Sequence, residues 1–367
     1  MIHLDYQATT PLAPEVRAAM EPWFDKFANP HSASRWGREA AAAIEMAREQ
    51  VAACMPSGGQ TIFTSGATEA LNWALQSSMA RTERRGMVAI VTEHAAVRDT
   101  LECLESRGAD LFHIPVGADG LVDLDAVRSA VNRDTAVVAA MLVNNEIGVI
   151  QPVSEIAAIA HEAGALMVCD AVQGFGRMPV PEGPDLVAAC AHKLHGPKMI
   201  GALWIRSGLK IEPFIHGGGQ QSNLRSGTLS PMLCAGFGAA AKLAAERQDE
   251  DAKHVQRLWH AAFQALGPDW IINGSAEQRY RGNLNIRREG LDAARLLSDL
   301  RDIAFSLGSA CASGSGRPSH VLRALGLSDR EARSSVRLGF GRYTTEEELV
   351  DACTRIRMAA DAQRIAA

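Results

Sequence analysis

Short β-rich runs alternate with helical patterns along much of this chain, and that alternation constrains the fold more than any single residue does. The runs cover residues 87–92, 111–116, 136–143, 166–169 and 203–205. Between the third and fourth, Val153, Ile156, Ala157, Ala160 and Ala163 recur at helical spacing, as a crossover helix packed on a sheet requires. The expectation is an α/β fold with a mostly parallel sheet flanked by helices, and ligands collecting at the carboxyl ends of its strands. Ala40, Ile44, Ala47, Val51 and Cys54 give another apolar helical face between Gly37 and Pro56, assigned to the start of a small domain or to a connector. A charged helical stretch, 246–259, and a strand-like stretch, 283–286, mark entry into a smaller α+β domain. The expected division is a large domain over 15–245 and a small one built from 1–14 and 246–367, closed by an amphipathic helix from 346.

With 367 residues, 47% of them hydrophobic and 22% charged, the chain can bury a large core. A net charge of −5 gives no electrostatic reason to expect nucleic-acid binding. The N-terminus lacks a basic segment followed by an apolar core, and no apolar stretch approaches the length of a membrane span. The seven cysteines are scattered, with no Cys-x-x-Cys pair and no Cys/His cluster, so neither a disulfide framework nor a metal site is expected. A reducing cytoplasm is the expected compartment. Cys311 stands apart: its neighbours in Gly308-Ser309-Ala310-Cys311-Ala312-Ser313-Gly314-Ser315-Gly316 are all glycine, serine or alanine. Such a segment suits either an accessible, moving nucleophile or an ordinary flexible linker.

Three further features lie at strand ends. Thr61-Ile62-Phe63-Thr64 runs through Ser65-Gly66 into Ala67-Thr68-Glu69-Ala70, a small-residue turn that suits a phosphate at a helix N-terminus, or a plain N-cap by Ser65 or Thr68. Asp170 ends the apolar run 166–169 and needs a cation, which a protonated pyridine nitrogen or an arginine could supply. Lys193 follows the apolar run 186–191, where an ammonium is costly to desolvate and a lowered pKa favours covalent attachment to a carbonyl. Phosphate turn, aspartate and lysine in that order are the arrangement expected for pyridoxal 5'-phosphate.

The residues resemble the cysteine desulfurases. The resemblance is carried by Phe63-Thr64-Ser65-Gly66-Ala67-Thr68-Glu69, Glu93-His94, Val143-Asn144-Asn145-Glu146-Ile147-Gly148, Asp170-Ala171-Val172-Gln173, His192-Lys193, Gly217-Gly218-Gly219-Gln220, Arg225-Ser226-Gly227-Thr228, Gly308-Ser309-Ala310-Cys311 and Ser334-Ser335-Val336-Arg337. It extends from Leu4 to Thr345 and is to the group with a long catalytic-cysteine loop. It implies a fold-type-I pyridoxal-phosphate enzyme. Lys193 would carry the cofactor, Asp170 would hold its ring nitrogen, Gln173 would sit near its hydroxyl, and His94 would stack on the ring and move protons. Ala67, Thr68, Asn145 and His192 would help hold the cofactor, and Thr228 would reach the phosphate in the second subunit of a homodimer. Arg337 and Asn145 would receive the carboxylate of L-cysteine. Cys311 would take the sulfur as a persulfide, with L-alanine released, and pass it to an acceptor such as a scaffold or carrier protein. Iron–sulfur cluster assembly, transfer-RNA thiolation and DNA phosphorothioation all use such enzymes; a selenocysteine lyase and a non-catalytic sulfur-relay module are the alternatives. Cys190, Ser34, Gln221 and Arg333 stand where Ser, His, Glu and His are common in the family, and the chain stops short of the C-terminal end that helps dock the scaffold in relatives.

Overall fold

The computed structural model describes residues 1–307 and 318–365. Seven strands form the main sheet: β1 (Gly59–Thr64), β2 (Gly86–Ile90), β3 (Asp110–Ile114), β4 (Thr135–Met141), β5 (Leu166–Asp170), β6 (Leu186–Cys190) and β7 (Gly201–Arg206). Their spatial order is β1-β7-β6-β5-β4-β2-β3, and β7 alone runs against the others. Strands β2, β4 and β6 are buried along their whole length because helices cover both faces. One face packs Trp73, Leu75, Met87 and Leu203; the other packs Phe63, Val138, Met167 and Phe237.

Helix α1 (Arg35–Ala52) buries Ile44, Ala47 and Val51 in the second of these cores, so it belongs to the main sheet and not to the small domain or a connector. Ser34 caps it, accepting the Gly37 amide at 3.1 Å. The remaining helices near the site are α2 (Ala67–Ala80), α3 (Ala95–Glu105) and α4 (Val153–Glu162), the last being the crossover that the apolar spacing predicts.

The chain leaves this sheet through α5 (Pro231–Leu266), a continuous helix of which composition revealed only the charged middle. Phe237, Ala240 and Ala244 of α5 pack on the main sheet, whereas Val255, Leu258 and Ala262 pack in a separate core. That separate core lies on an antiparallel sheet of β8 (Ile271–Ile272), β9 (Asn283–Arg287), β10 (Ser306–Leu307) and β11 (Ser335–Gly339), ordered β10-β11-β9-β8. Leu4 joins it from the N-terminus, and α6 (Glu346–Ile365) closes it with Leu349, Cys353 and Ile356. Among the described residues no helix is long and apolar enough to cross a membrane.

Because β7 is antiparallel to its neighbours, it starts at the edge where β1 and β6 end: Gly201 pairs with Thr64 and with Cys190. A Cβ on Gly201 would lie 2.6 Å from the Gly66 carbonyl carbon and 2.8 Å from the Ala189 carbonyl oxygen, both backbone atoms that cannot swing aside. Gly201→Ala is therefore expected to push the Ser65-Gly66 turn outward. Equilibrium titration of the apoprotein with pyridoxal phosphate should show an affinity loss of tenfold or more, roughly the effect of a misplaced contact, with far-UV circular dichroism unchanged.

Candidate active site

Lys193 ends a 3-10 turn, Ala191–Lys193, directly after β6. Its Nζ donates to the carbonyls of Gln7 and Ala8, the latter at 2.8 Å. Burial, with the guanidiniums of Arg177 and Arg337 nearby, brings this amine down to about 8 although Cys190 and Asp5 oppose the change. An amine so placed loses its proton far more readily than a solvated lysine. Arg177 fixes the turn, donating to the Lys193 carbonyl at 2.7 Å and to Gln173 Oε1 at 2.7 Å. His195 holds a left-handed φ of 63° two residues on, secured by its amide to Thr10 Oγ1 and its Nδ1 beside the Pro11 carbonyl.

Asp170 closes β5, with Oδ1 accepting the Val172 amide at 3.0 Å. No arginine or lysine lies within ion-pair distance of it among the described residues, which removes the arginine-paired reading of this carboxylate. Burial raises its pKa, opposed by His94, the Val172 amide and Lys193. Behind it lies Glu93, fully buried, with Oε1 accepting the Met141 amide at 2.8 Å and Oε2 without a hydrogen-bond partner among the described residues. Burial and then the Asp170 carboxylate push Glu93 up to about 8, so it is mainly a neutral acid at neutral pH. Glu93 is a part of the site that sequence reasoning quoted in a motif without a role; its place before His94, after a buried strand, was the available signal. His94 itself caps α3 through Nδ1, which accepts the Ala96 amide at 3.1 Å. That bond leaves Nε2 as the proton-bearing nitrogen of the neutral ring.

Helix α2 begins at an extended Gly66, φ 162°, with no side-chain cap, so neither Ser65 nor Thr68 is an ordinary N-cap. Its first amides, at Ala67 and Thr68, are left for an anion. Glu69 secures the turn, accepting the Ser65 amide at 2.8 Å and pairing with Arg225 at 2.8 Å. Gln221 likewise ties the following segment to β1, donating to the Phe63 carbonyl and accepting its amide, both at 2.8 Å.

A cavity of about 640 Å³ brings together Ala67, Thr68, His94, Asn145, Asp170, Gln173, His192, Lys193 and Arg337, with Cys190 on its wall. Burial pushes the Cys190 thiol up to about 11, and burial and then Lys193 bring His192 down to about 4, its Nδ1 lying 3.3 Å from Thr9 Oγ1. Gln173 is engaged at both ends, donating to the Gln7 carbonyl at 3.0 Å and accepting from Arg177. Arg337 reaches the cavity from β11 and donates to the Asn145 carbonyl at 3.0 Å. Next to Asn145, the buried Glu146 accepts from Ser319 Oγ, and burial raises it to about 7 despite Ser319 and Arg337. Thr228 is exposed and lies outside this cavity, and Cys311 lies outside the described residues. Among the described residues no group of side chains could hold a metal ion.

The residues present fit pyridoxal phosphate. Asp170 wants a cation, the α2 N-terminus wants an anion, and Lys193 is low enough to attack a carbonyl; a protonated pyridine, a phosphate and an aldehyde supply these three groups. A mostly parallel sheet with such a site at its carboxyl edge defines a pyridoxal-phosphate enzyme. The family model for aminotransferase class-V matches residues 2–352. The chain is 41% identical over 361 residues to the cysteine desulfurase IscS of Rickettsia bellii, spanning 95% of this chain and 88% of that one. It is similar to a solved NifS-like protein, with a TM-score of 0.90 and 32% identity over 98% of this chain and 99% of that one. It is also similar to DndA from Streptomyces lividans, with a TM-score of 0.79 and 33% identity over 91% and 98%. The chain belongs to the cysteine desulfurases.

The Glu93 acid has a consequence for stability. In the cofactor-free protein it titrates near 8, against an ordinary value of 4.5, so across that window the unfolded chain binds fewer protons and stability falls as pH rises. Glu93→Gln removes this contribution. Calorimetry of the apoprotein between about pH 5 and about pH 8 should show a smaller decline of Tm in the variant than in the parent; equal declines would contradict a buried acid.

Proposed function

We propose that this cysteine desulfurase divides its work among the residues gathered in the cavity as follows. Pyridoxal phosphate, held by Lys193, Asp170 and the Ala67-Thr68 amides, supplies an electron sink that makes the substrate Cα–H acidic and its C–S bond labile. Arg337 and Asn145 orient the carboxylate of L-cysteine. The Lys193 amine takes and returns the Cα proton, which its low basicity suits. His94 Nε2 exchanges protons at the substrate sulfur. The Cys311 thiolate attacks that sulfur: an S–S bond forms, the C–S bond breaks with its electron pair left on carbon, and protonation there yields L-alanine. The balance is L-cysteine plus Cys311 thiol giving L-alanine plus Cys311 persulfide, with no external oxidant. The observation that carries this reading is a buried lysine brought down to about 8 in one cavity with an aspartate that, among the described residues, has no arginine or lysine within ion-pair distance.

The sulfur then passes to an acceptor protein of iron–sulfur cluster assembly in the cytoplasm. The chain acts as a homodimer, a reading supported by Thr228, which is exposed and outside its own cavity. The division into a large domain over 15–245 and a small one from 1–14 and 246–367 is supported by the change of packing along α5.

Lys193→Ala should yield a colourless protein with no alanine release. Cys311→Ala should keep the yellow cofactor band while sulfide release from L-cysteine falls by at least about a hundredfold, the scale expected when a nucleophile is removed. Retained turnover in Cys311→Ala would point to a lyase or transaminase. Radiolabelled sulfur from cysteine, followed by gel electrophoresis under non-reducing conditions with a purified cluster scaffold, should appear on the scaffold; label that stays on the enzyme contradicts the acceptor class.

A further inference from the structure

The guanidinium that receives the substrate carboxylate is already engaged by one. Arg337 is 1% exposed, and its Nη2 donates to Asp5 Oδ1 at 2.7 Å and to Ser306 Oγ at 3.1 Å. Those two bonds use both Nη2 hydrogens. Nη1 donates to the Asn145 carbonyl, and Nε has no partner among the described residues. A guanidinium grips a carboxylate with two parallel bonds along either of two edges, Nη1/Nη2 or Nε/Nη2, and both include Nη2. Both two-bond edges of Arg337 are therefore closed in the folded protein.

We propose that Asp5 is a resident stand-in for the substrate carboxylate, displaced from Arg337 Nη2 when L-cysteine binds, and that it thereby sets the affinity for substrate. The inference rests on the desulfurase reading of this cavity. A buried guanidinium with no counterion is strongly destabilising, so something must neutralise Arg337 between turnovers. Asp5 is suited to leave as well as to bind. Its side chain is 19% exposed, so it can regain water on release, whereas the side chain of Arg337 cannot follow it out. The backbone around Asp5 also connects the exchange to the amine. The Asp5 carbonyl accepts the Ala8 and Thr9 amides, and this same turn presents the Gln7 and Ala8 carbonyls that hold Lys193 Nζ. One short turn thus occupies both groups that the amino acid must engage, the guanidinium for its carboxylate and the lysine amine.

Asp5→Asn keeps the size of the side chain and removes its charge. In the holoenzyme the KM for L-cysteine should fall about three- to tenfold, the scale of one charge-assisted hydrogen bond made easier to replace. The inhibition constant of the product L-alanine should fall in parallel. Binding of cysteamine, which has the amine and thiol without the carboxylate, should not change; it is read from the perturbation of cofactor absorbance. An unchanged or raised KM in a variant with the parent's cofactor band and Tm overturns the proposal, as does tighter binding of cysteamine by the same factor. Should Asp5→Asn not fold, Ser306→Ala releases the other Nη2 hydrogen while leaving Asp5 in place. A lowered KM in Ser306→Ala supports the exchange, and an unchanged or raised one overturns it. Failure of the desulfurase reading is distinguishable, because a parent protein that releases no alanine from cysteine still reports L-alanine binding through cofactor absorbance.

Discussion

Charge buried at the carboxyl edge of the main sheet, and left only partly neutralised by the chain itself, is the constraint on which the rest of this structure depends. Among the described residues Lys193 rests on two neutral carbonyls, Asp170 accepts the Val172 amide, and the first turn of α2 has no side-chain cap. Leaving such groups underpaired is destabilising by several kcal/mol each, roughly the scale for breaking a buried pair. The fold tolerates this because three large apolar cores hold the strands in place. A pyridinium, a phosphate and an aldehyde meet all three deficits at once, so cofactor binding and relief of the strain at that edge are one event.

Two features of the topology put these groups within one cavity. Parallel strands β5 and β6 end side by side, which sets Asp170 near Lys193, and the reversed β7 brings Gly201 against the phosphate turn without a side chain between them. The second sheet then contributes Arg337 from β11 at a point where the N-terminal turn and the Asn145 loop also arrive. The same region holds the chain that follows residue 317. Ser319 donates to Glu146, and His320 Nε2 lies 3.1 Å from the Glu93 carbonyl, so this segment is fastened beside His94 and Asn145.

Much of this was legible in the residues. Five of the seven strands of the main sheet contain a β-rich run that alternation picks out; β2, β4 and β6 are buried along their whole length, and strands buried on both faces must be apolar throughout, whereas the edge strand β3 is largely exposed. Asp170 and Lys193 stood out because a charge at the end of such a run is costly unless it is used. Other features had no local signal. Helix α5 reads as a change of composition near its middle, although it is one helix that serves two cores in succession. The helix 35–52 has an apolar face that does not say which core it joins. Glu93 looks like a loop carboxylate until the structure shows it sealed behind Asp170, and Asp5 looks like an N-terminal surface residue until it is seen on Arg337.

By itself, then, the order of residues determined the fold class, the cofactor and the identity of the chemical groups, because these follow from local periodicity and from the type of side chain at each strand end. Tertiary structure alone decided how those groups are charged and which are already engaged. Burial depth makes Glu93 an acid and Lys193 a weak base, and a contact across 332 positions places Asp5 on the Arg337 guanidinium. Desolvation and long-range pairing depend on the whole packed molecule, and no window of sequence contains them.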